Sequence, residues 1–92
     1  MQQVCITVIN EVGLHARPAS VLVQQAKQFK AAIWIRNLAK DAKPVDAKSI
    51  LRVLAQGIEK GHCVEIVAEG EDEATAIGKL KELIETDFRG ML

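Results

Sequence analysis

A chain of 92 residues has room for one core and not for the separate domains of a multidomain enzyme, since domains run from ~50 to 250 residues. Twelve Lys and Arg offset twelve Asp and Glu, which removes the basic excess that sequence-independent binding to nucleic acid or to an anionic membrane needs. With 49% apolar and 26% charged residues, the composition is that of a globular chain rather than a disordered one, and residues 1–92 are expected to form one domain.

The first ten residues, MQQVCITVIN, lack the charged and apolar regions of a secretory leader, and no apolar run approaches the ~18 residues that a bilayer crossing needs. Cys5 and Cys63 stand far apart and outside any CxxC pattern, so neither a disulfide framework nor a metal site is expected. The expectation is a cytoplasmic protein that needs no cofactor and has neither nucleic acid nor membrane as partner.

Residues 4 to 9, VCITVI, are β-branched and stop at the loop Asn10-Glu11-Val12-Gly13, which predicts a first strand. From Pro18, apolar Ala19, Leu22, Val23, Ala26 and Phe29 recur with helical spacing, and Pro suits a first helical turn because its missing N–H had no partner there. Ile33 to Arg36 reads as a second strand. The polar stretch Asn37 to Lys43 and an extended Pro44-Val45-Asp46 then predict a hairpin with a loose turn. Ser49 is placed to cap a short helix from Ile50 to Gln56, which Gly57 and the apolar Ile58 would end. His62 to Ala68 is another β-branched run. Asp72 opens a last helix with the stripe Ala76, Ile77, Leu80 and Leu83 or Ile84, in which Gly78 suggests close backbone packing. The order βαββαβα, with four short strands that cannot all be parallel, predicts a two-layer α/β sandwich with three helices on one face.

Period-2 alternation along the strands has a second consequence. If Val4, Ile6, Val64, Ile66, Ile33 and Ile35 face the helices, Cys5, Ile9, Cys63, Val67 and Trp34 fall on the open face. There they either form one continuous apolar strip, a contact surface apart from the rest of the chain, or stand as scattered surface apolar residues that need no explanation.

The chemistry concentrates in Gly13-Leu14-His15-Ala16-Arg17-Pro18-Ala19-Ser20, where a histidine stands between a loop and a helix start. A helix N-terminus carries about half a positive charge and free N–H donors, so it favours a bound anion and disfavours a protonated imidazole. Arg17 can bring a planar five-donor fork to the same point, the geometry of phosphate recognition. His15 can therefore be read as a phosphoryl acceptor whose group is held by Arg17 and by the helix N-terminus formed by Ala16, Arg17 and Pro18, or as a residue that merely caps the helix. No second nucleophile or catalytic carboxylate lies nearby in sequence, which argues against a self-sufficient enzyme.

The segment Asn10-x-x-Gly13-Leu14-His15-Ala16-Arg17-Pro18-Ala19 resembles the signature of the HPr family, the histidine-containing phosphocarriers of bacterial sugar phosphotransferase systems. Val45-Asp46-Ala47-Lys48-Ser49-Ile50-Leu51 resembles that family's second block, which holds a regulatory serine, and the βαββαβα order matches the family's α/β (α+β) open-faced two-layer sandwich, a four-stranded antiparallel sheet with three helices on one face. The resemblance implies that His15 is phosphorylated on Nδ1 by enzyme I, itself charged by phosphoenolpyruvate, and passes the group to sugar-specific IIA domains, with Arg17 steadying it. It further implies regulatory phosphorylation of Ser49 by a dedicated serine kinase/phosphorylase, and partner docking through Ser20, Gln24 and Lys27 together with Ile50, Leu51 and Leu54. A nitrogen-regulatory or dihydroxyacetone-kinase branch shares the chemistry, and a non-catalytic interaction module is the rival from another class. The chain departs from the common pattern in a longer, protruding turn at Asn37 to Ala42, in Arg52, which leaves the regulatory subtype open, and in a tail from Thr86 to Leu92 whose Phe88 is expected to pack on the last helical turn.

Overall fold

The computed structural model describes residues 1–88; the end of the tail, 89–92, lies outside the described residues. The chain runs β1 (Gln2–Thr7), α1 (Ala16–Ala26), β2 (Ala32–Asn37), a 3-10 turn (Leu38–Lys40), β3 (Val45–Asp46), α2 (Ile50–Ala55), β4 (Cys63–Glu69) and α3 (Glu73–Glu85). The four strands form one sheet in the order β1-β4-β2-β3, and every pair is antiparallel. β4, the last strand to be made, fills the place between β1 and β2. It pairs Ile6 with Val64 and Val4 with Ile66 on one side, and Ile35 with Ile66 and Ile33 with Ala68 on the other.

These paired residues point to the helices and are buried, apart from the half-buried Val4. They meet Ala19, Leu22, Val23 and Ala26 of α1, Val53 of α2, and Ala76, Ile77, Leu80, Leu83 and Ile84 of α3. Each large aliphatic side chain buried in this layer contributes about 1.5–3 kcal/mol, so the period-2 and helical patterns of the sequence set which faces close on each other. Phe88 is buried against the same core, and its N–H bonds the carbonyl of Leu83, which ends α3 as the sequence predicts.

Several boundaries differ from the sequence reading. β1 spans residues 2–7 rather than 4–9, because beyond Thr7 the chain leaves the ladder: Val8 still buries its side chain, and Ile9 turns to a cleft shared with Glu85, Thr86 and Asp87 at the end of α3. α1 begins at Ala16, two residues before Pro18, and ends at Ala26, so Phe29 packs on the core from the following loop. The segment after β2 is curled into the 3-10 turn, and Asn37, read as the start of a polar loop, is fully buried at the end of β2. Gly78 has no close neighbour: its face of α3 is exposed, and a Cβ there would meet no atom within 4 Å.

The open face is not one continuous apolar strip. Ile9 has left the sheet, and Glu65 stands directly opposite Arg36 across β4 and β2, Oε1 accepting from the guanidinium Nε at 2.9 Å. This ion pair separates Cys63 from Val67 and Trp34 along β4 and its neighbour. What remains apolar is a smaller cleft of Trp34, Val67, Met1 and Pro44.

Candidate functional site

The loop that carries His15 is tied down before it reaches α1. The Gly13 N–H bonds the Asn10 carbonyl at 3.1 Å, and the buried Asn10 amide nitrogen donates back to the Gly13 carbonyl. Gly13 has φ +64, and a Cβ there would lie 2.3 Å from the Ile58 carbonyl oxygen. Only glycine permits both the left-handed backbone and this close approach. The next residue completes the anchor: the Leu14 N–H bonds that same Ile58 carbonyl at 2.9 Å, and its side chain is fully buried.

His15 is then held as the N-cap of α1 in extended conformation, with φ −121 and ψ 163. Its side chain makes no capping hydrogen bond, and it is half-buried. The first N–H groups of α1 have no preceding turn to bond, and its first turn carries no acidic residue, so the positive end of the helix is open beside the imidazole. Pro18, third in the helix, supplies no N–H and loses no helical bond there. Arg17 is exposed, and among the described residues no carboxylate pairs with its guanidinium. An imidazole, helix N–H donors and an exposed Arg17 thus stand within three consecutive residues at the start of α1, residue types suited to a tetrahedral anion.

Arg17, Ser20, Gln24 and Lys27 are all exposed and follow one another at spacings of three and four along α1, which makes them one stripe of the helix. α1 packs beside α2. On α2, Ile50 and Leu51 are exposed, whereas Leu54 is half-buried and packs against the core. Leu54 thus has a structural role of its own. The Ser49 hydroxyl accepts from the Arg52 N–H at 3.4 Å, the capping bond expected of it, and its side chain is half-buried.

Sequence reasoning missed a buried polar cluster behind this loop. The Asn37 amide nitrogen reaches Nδ1 of His62 and the carbonyls of Gln56 and Gly57, while the Gln56 side chain accepts from the Asn37 N–H and donates to the Lys43 carbonyl. These residues lie on separate elements, and no local pattern joins them. Elsewhere near the loop, Glu11 bonds Lys60 at 2.7 Å, and that ammonium holds its carboxyl below the usual range.

The family model described as the PTS HPr component phosphorylation site matches residues 2–86. The chain belongs to the HPr family. Among its HPr relatives is the phosphocarrier protein HPr of Treponema pallidum, 39% identical and aligned over 90% of this chain and 91% of that one. A crystal structure of HPr-C-His from Thermoanaerobacter tengcongensis superposes with a TM-score of 0.90 at 45% identity, covering 96% of each chain. The multiphosphoryl transfer protein of Haemophilus influenzae is 44% identical over 85% of this chain. The chain spans only 16% to 20% of the length of that protein and its counterparts in Salmonella, Escherichia coli and Vibrio cholerae. HPr proteins are phosphocarriers of the phosphotransferase system, and the open-faced α+β sandwich described above is their fold.

Proposed function

We propose that this HPr chain carries phosphoryl groups on Nδ1 of His15. Phosphorylated enzyme I, charged by phosphoenolpyruvate, is the donor, and sugar-specific IIA domains are the acceptors. The Nδ1 lone pair attacks phosphorus, a P–N bond forms as the bond to the donor breaks, and the same displacement in reverse sense delivers the group onward. The observation that carries this reading is the imidazole of His15, engaged in no capping bond at the open N-terminus of α1 beside an unpaired Arg17. It also weighs against the interaction module in which His15 is only a cap.

The role of Arg17 is to hold the phosphoryl oxygens, together with the N–H donors of Ala16 and its own backbone, Pro18 leaving that end of the helix free of competing bonds. In this reading the chain acts as a relay in the cytoplasm and not as an enzyme, the phosphoryl group passing from donor to acceptor through one covalent intermediate on His15. Donor and acceptor dock over Ser20, Gln24 and Lys27 of α1 and Ile50 and Leu51 of α2. Ser49 is the site at which a serine kinase/phosphorylase regulates that docking.

Incubation with enzyme I and labelled phosphoenolpyruvate tests the proposal. Acid-labile, base-stable label on the chain is expected, and a chain that takes up none, or that takes up acid-stable label, rules the relay out. A sugar IIA domain should then discharge it; discharge only to a nitrogen-regulatory or dihydroxyacetone-kinase acceptor assigns the other branch.

A further inference from the structure

The loop bearing His15 is held by the turn of residues 57–62, and that turn is held by a second histidine. Four contacts join loop and turn through backbone alone. The Val8 N–H bonds the His62 carbonyl at 2.9 Å, the Gly61 N–H bonds the Val8 carbonyl at 2.8 Å, the Leu14 N–H bonds Ile58, and Gly13 rests on Ile58 and Glu59. Within the turn, Nδ1 of His62 accepts the Glu59 N–H at 3.1 Å and faces the Asn37 amide nitrogen, also at 3.1 Å. The orientation of that amide is set by its other end, since the Asn37 Oδ1 accepts the Ala39 N–H at 3.0 Å. Both neighbours of Nδ1 are therefore donors, which requires an unprotonated Nδ1 with the ring proton on Nε2.

We propose that His62 is a positioning residue for the phosphoryl-acceptor loop, and that protonation of its Nδ1 releases the 57–62 turn and with it the anchor of His15. A proton at Nδ1 sets three donors against one another in a half-buried place, so the ring must leave, and the Asn37 amide and Glu59 N–H lose an acceptor. Charged groups on the segments joined to the ring include Lys40 of the 3-10 turn, whose ammonium lies against Gly57, Glu11 of the loop before α1, held by Lys60, and Glu59 and Lys60 of the turn itself. β2 and the end of α2 contribute the uncharged Asn37 and Gln56. The functional half of the proposal rests on His15 being the acceptor, whereas the coupling of His62 to the loop does not.

The test is an NMR titration of the unphosphorylated full chain from about pH 7.5 to about pH 5.5, the range in which imidazoles change charge, on the wild type, His15→Ala and His62→Asn. The Asn side chain places a non-titrating acceptor where Nδ1 stands. In His15→Ala the Gly13, Leu14 and Glu59 amides should still shift together with the His62 ring, and the exchange protection of the Leu14 N–H should fall about fivefold to tenfold toward the acid end. In His62→Asn those shifts and that loss should vanish. Leu14 shifts that disappear in His15→Ala, or that persist unchanged in His62→Asn, overturn the coupling. The acceptance rate then reports the functional half: His62→Asn should flatten the acid side of its pH profile, and an unaltered profile overturns that half.

Discussion

His15 and Arg17 ask different things of the start of α1. The imidazole is engaged in no capping bond, so its removal should leave the fold within about 0.5 kcal/mol of the wild type. In the proposed relay, His15→Ala then takes up no label from enzyme I. Arg17→Ala should slow acceptance by about tenfold to a hundredfold through the loss of a charge-assisted contact. Arg17→Lys should recover part of that rate, because an ammonium restores the charge but not the fork; stopped assays with labelled phosphoenolpyruvate measure both. Ser49 separates its two roles by substitution. Ser49→Ala removes the bond to the Arg52 N–H and should cost about 1 kcal/mol in denaturant unfolding. Ser49→Asp keeps a capping oxygen and the fold, yet adds negative charge beside the proposed docking surface, so transfer from enzyme I should slow at low ionic strength and recover as salt is added.

The elements are joined by contacts that differ in how far they can be moved. Gly13 and Gly78 make the contrast: one has φ +64 and rests on the backbone of residues 58–59, while a Cβ on the other would meet nothing. Gly13→Ala should destabilise by about 1–3 kcal/mol, and Gly78→Ala should stabilise α3 by about 0.5–1 kcal/mol, both read from urea midpoints. Asp72, at the N-cap of α3, uses its carboxylate across the molecule rather than on its own helix, accepting the Lys30 and Ala31 N–H groups at 2.8 Å. The Lys30 N–H first, then that of Ala31, holds this carboxyl below the usual range. A lowered folded value means that the stabilisation is complete above the unfolded carboxylate range and is lost as pH falls through the folded value, below about pH 4. Asp72→Ala should therefore flatten the acid limb of the stability curve and leave its neutral plateau lower.

The molecule as a whole has two unlike surfaces: a helical layer that presents His15 and the proposed acceptor site, and a bare sheet. On the bare side the Arg36 and Glu65 pair occupies the centre of what alternation would otherwise make an apolar sheet face. Exposed apolar patches of a few hundred Å² promote association, so replacing both residues with Leu should join Cys5, Cys63, Val67 and Trp34 into one patch. Sedimentation of that double variant should show more concentration-dependent association than the wild type, while its uptake of label at His15 stays the same. Equal sedimentation of the two proteins would mean that the ion pair has no such role.

How much of this could be read without coordinates follows from how far apart the cooperating residues lie. The loop that carries His15, the helix that follows it, the Ser49 cap and the Gly57 stop are contiguous stretches, and local rules of capping, φ preference and periodicity act within a few residues. The alternation of Ile33, Ile35, Val64 and Ile66 likewise declared which face would be buried, because a one-residue slip would expose all of them. Three things were beyond such rules. β1 stops at Thr7 because its partner β4 begins at Cys63, although the β-branched run continues to Ile9. Arg36 and Glu65 meet only because β4 inserts next to β2, which breaks a strip that alternation along single strands makes continuous. Asn37 and His62, 25 positions apart, become donor and acceptor only when the end of β2 and the 57–62 turn are brought together. Local sequence sets the conformation of each segment, but the pairing of a strand end, a charge or an imidazole with its partner is a property of chain packing, and only the tertiary structure decides it.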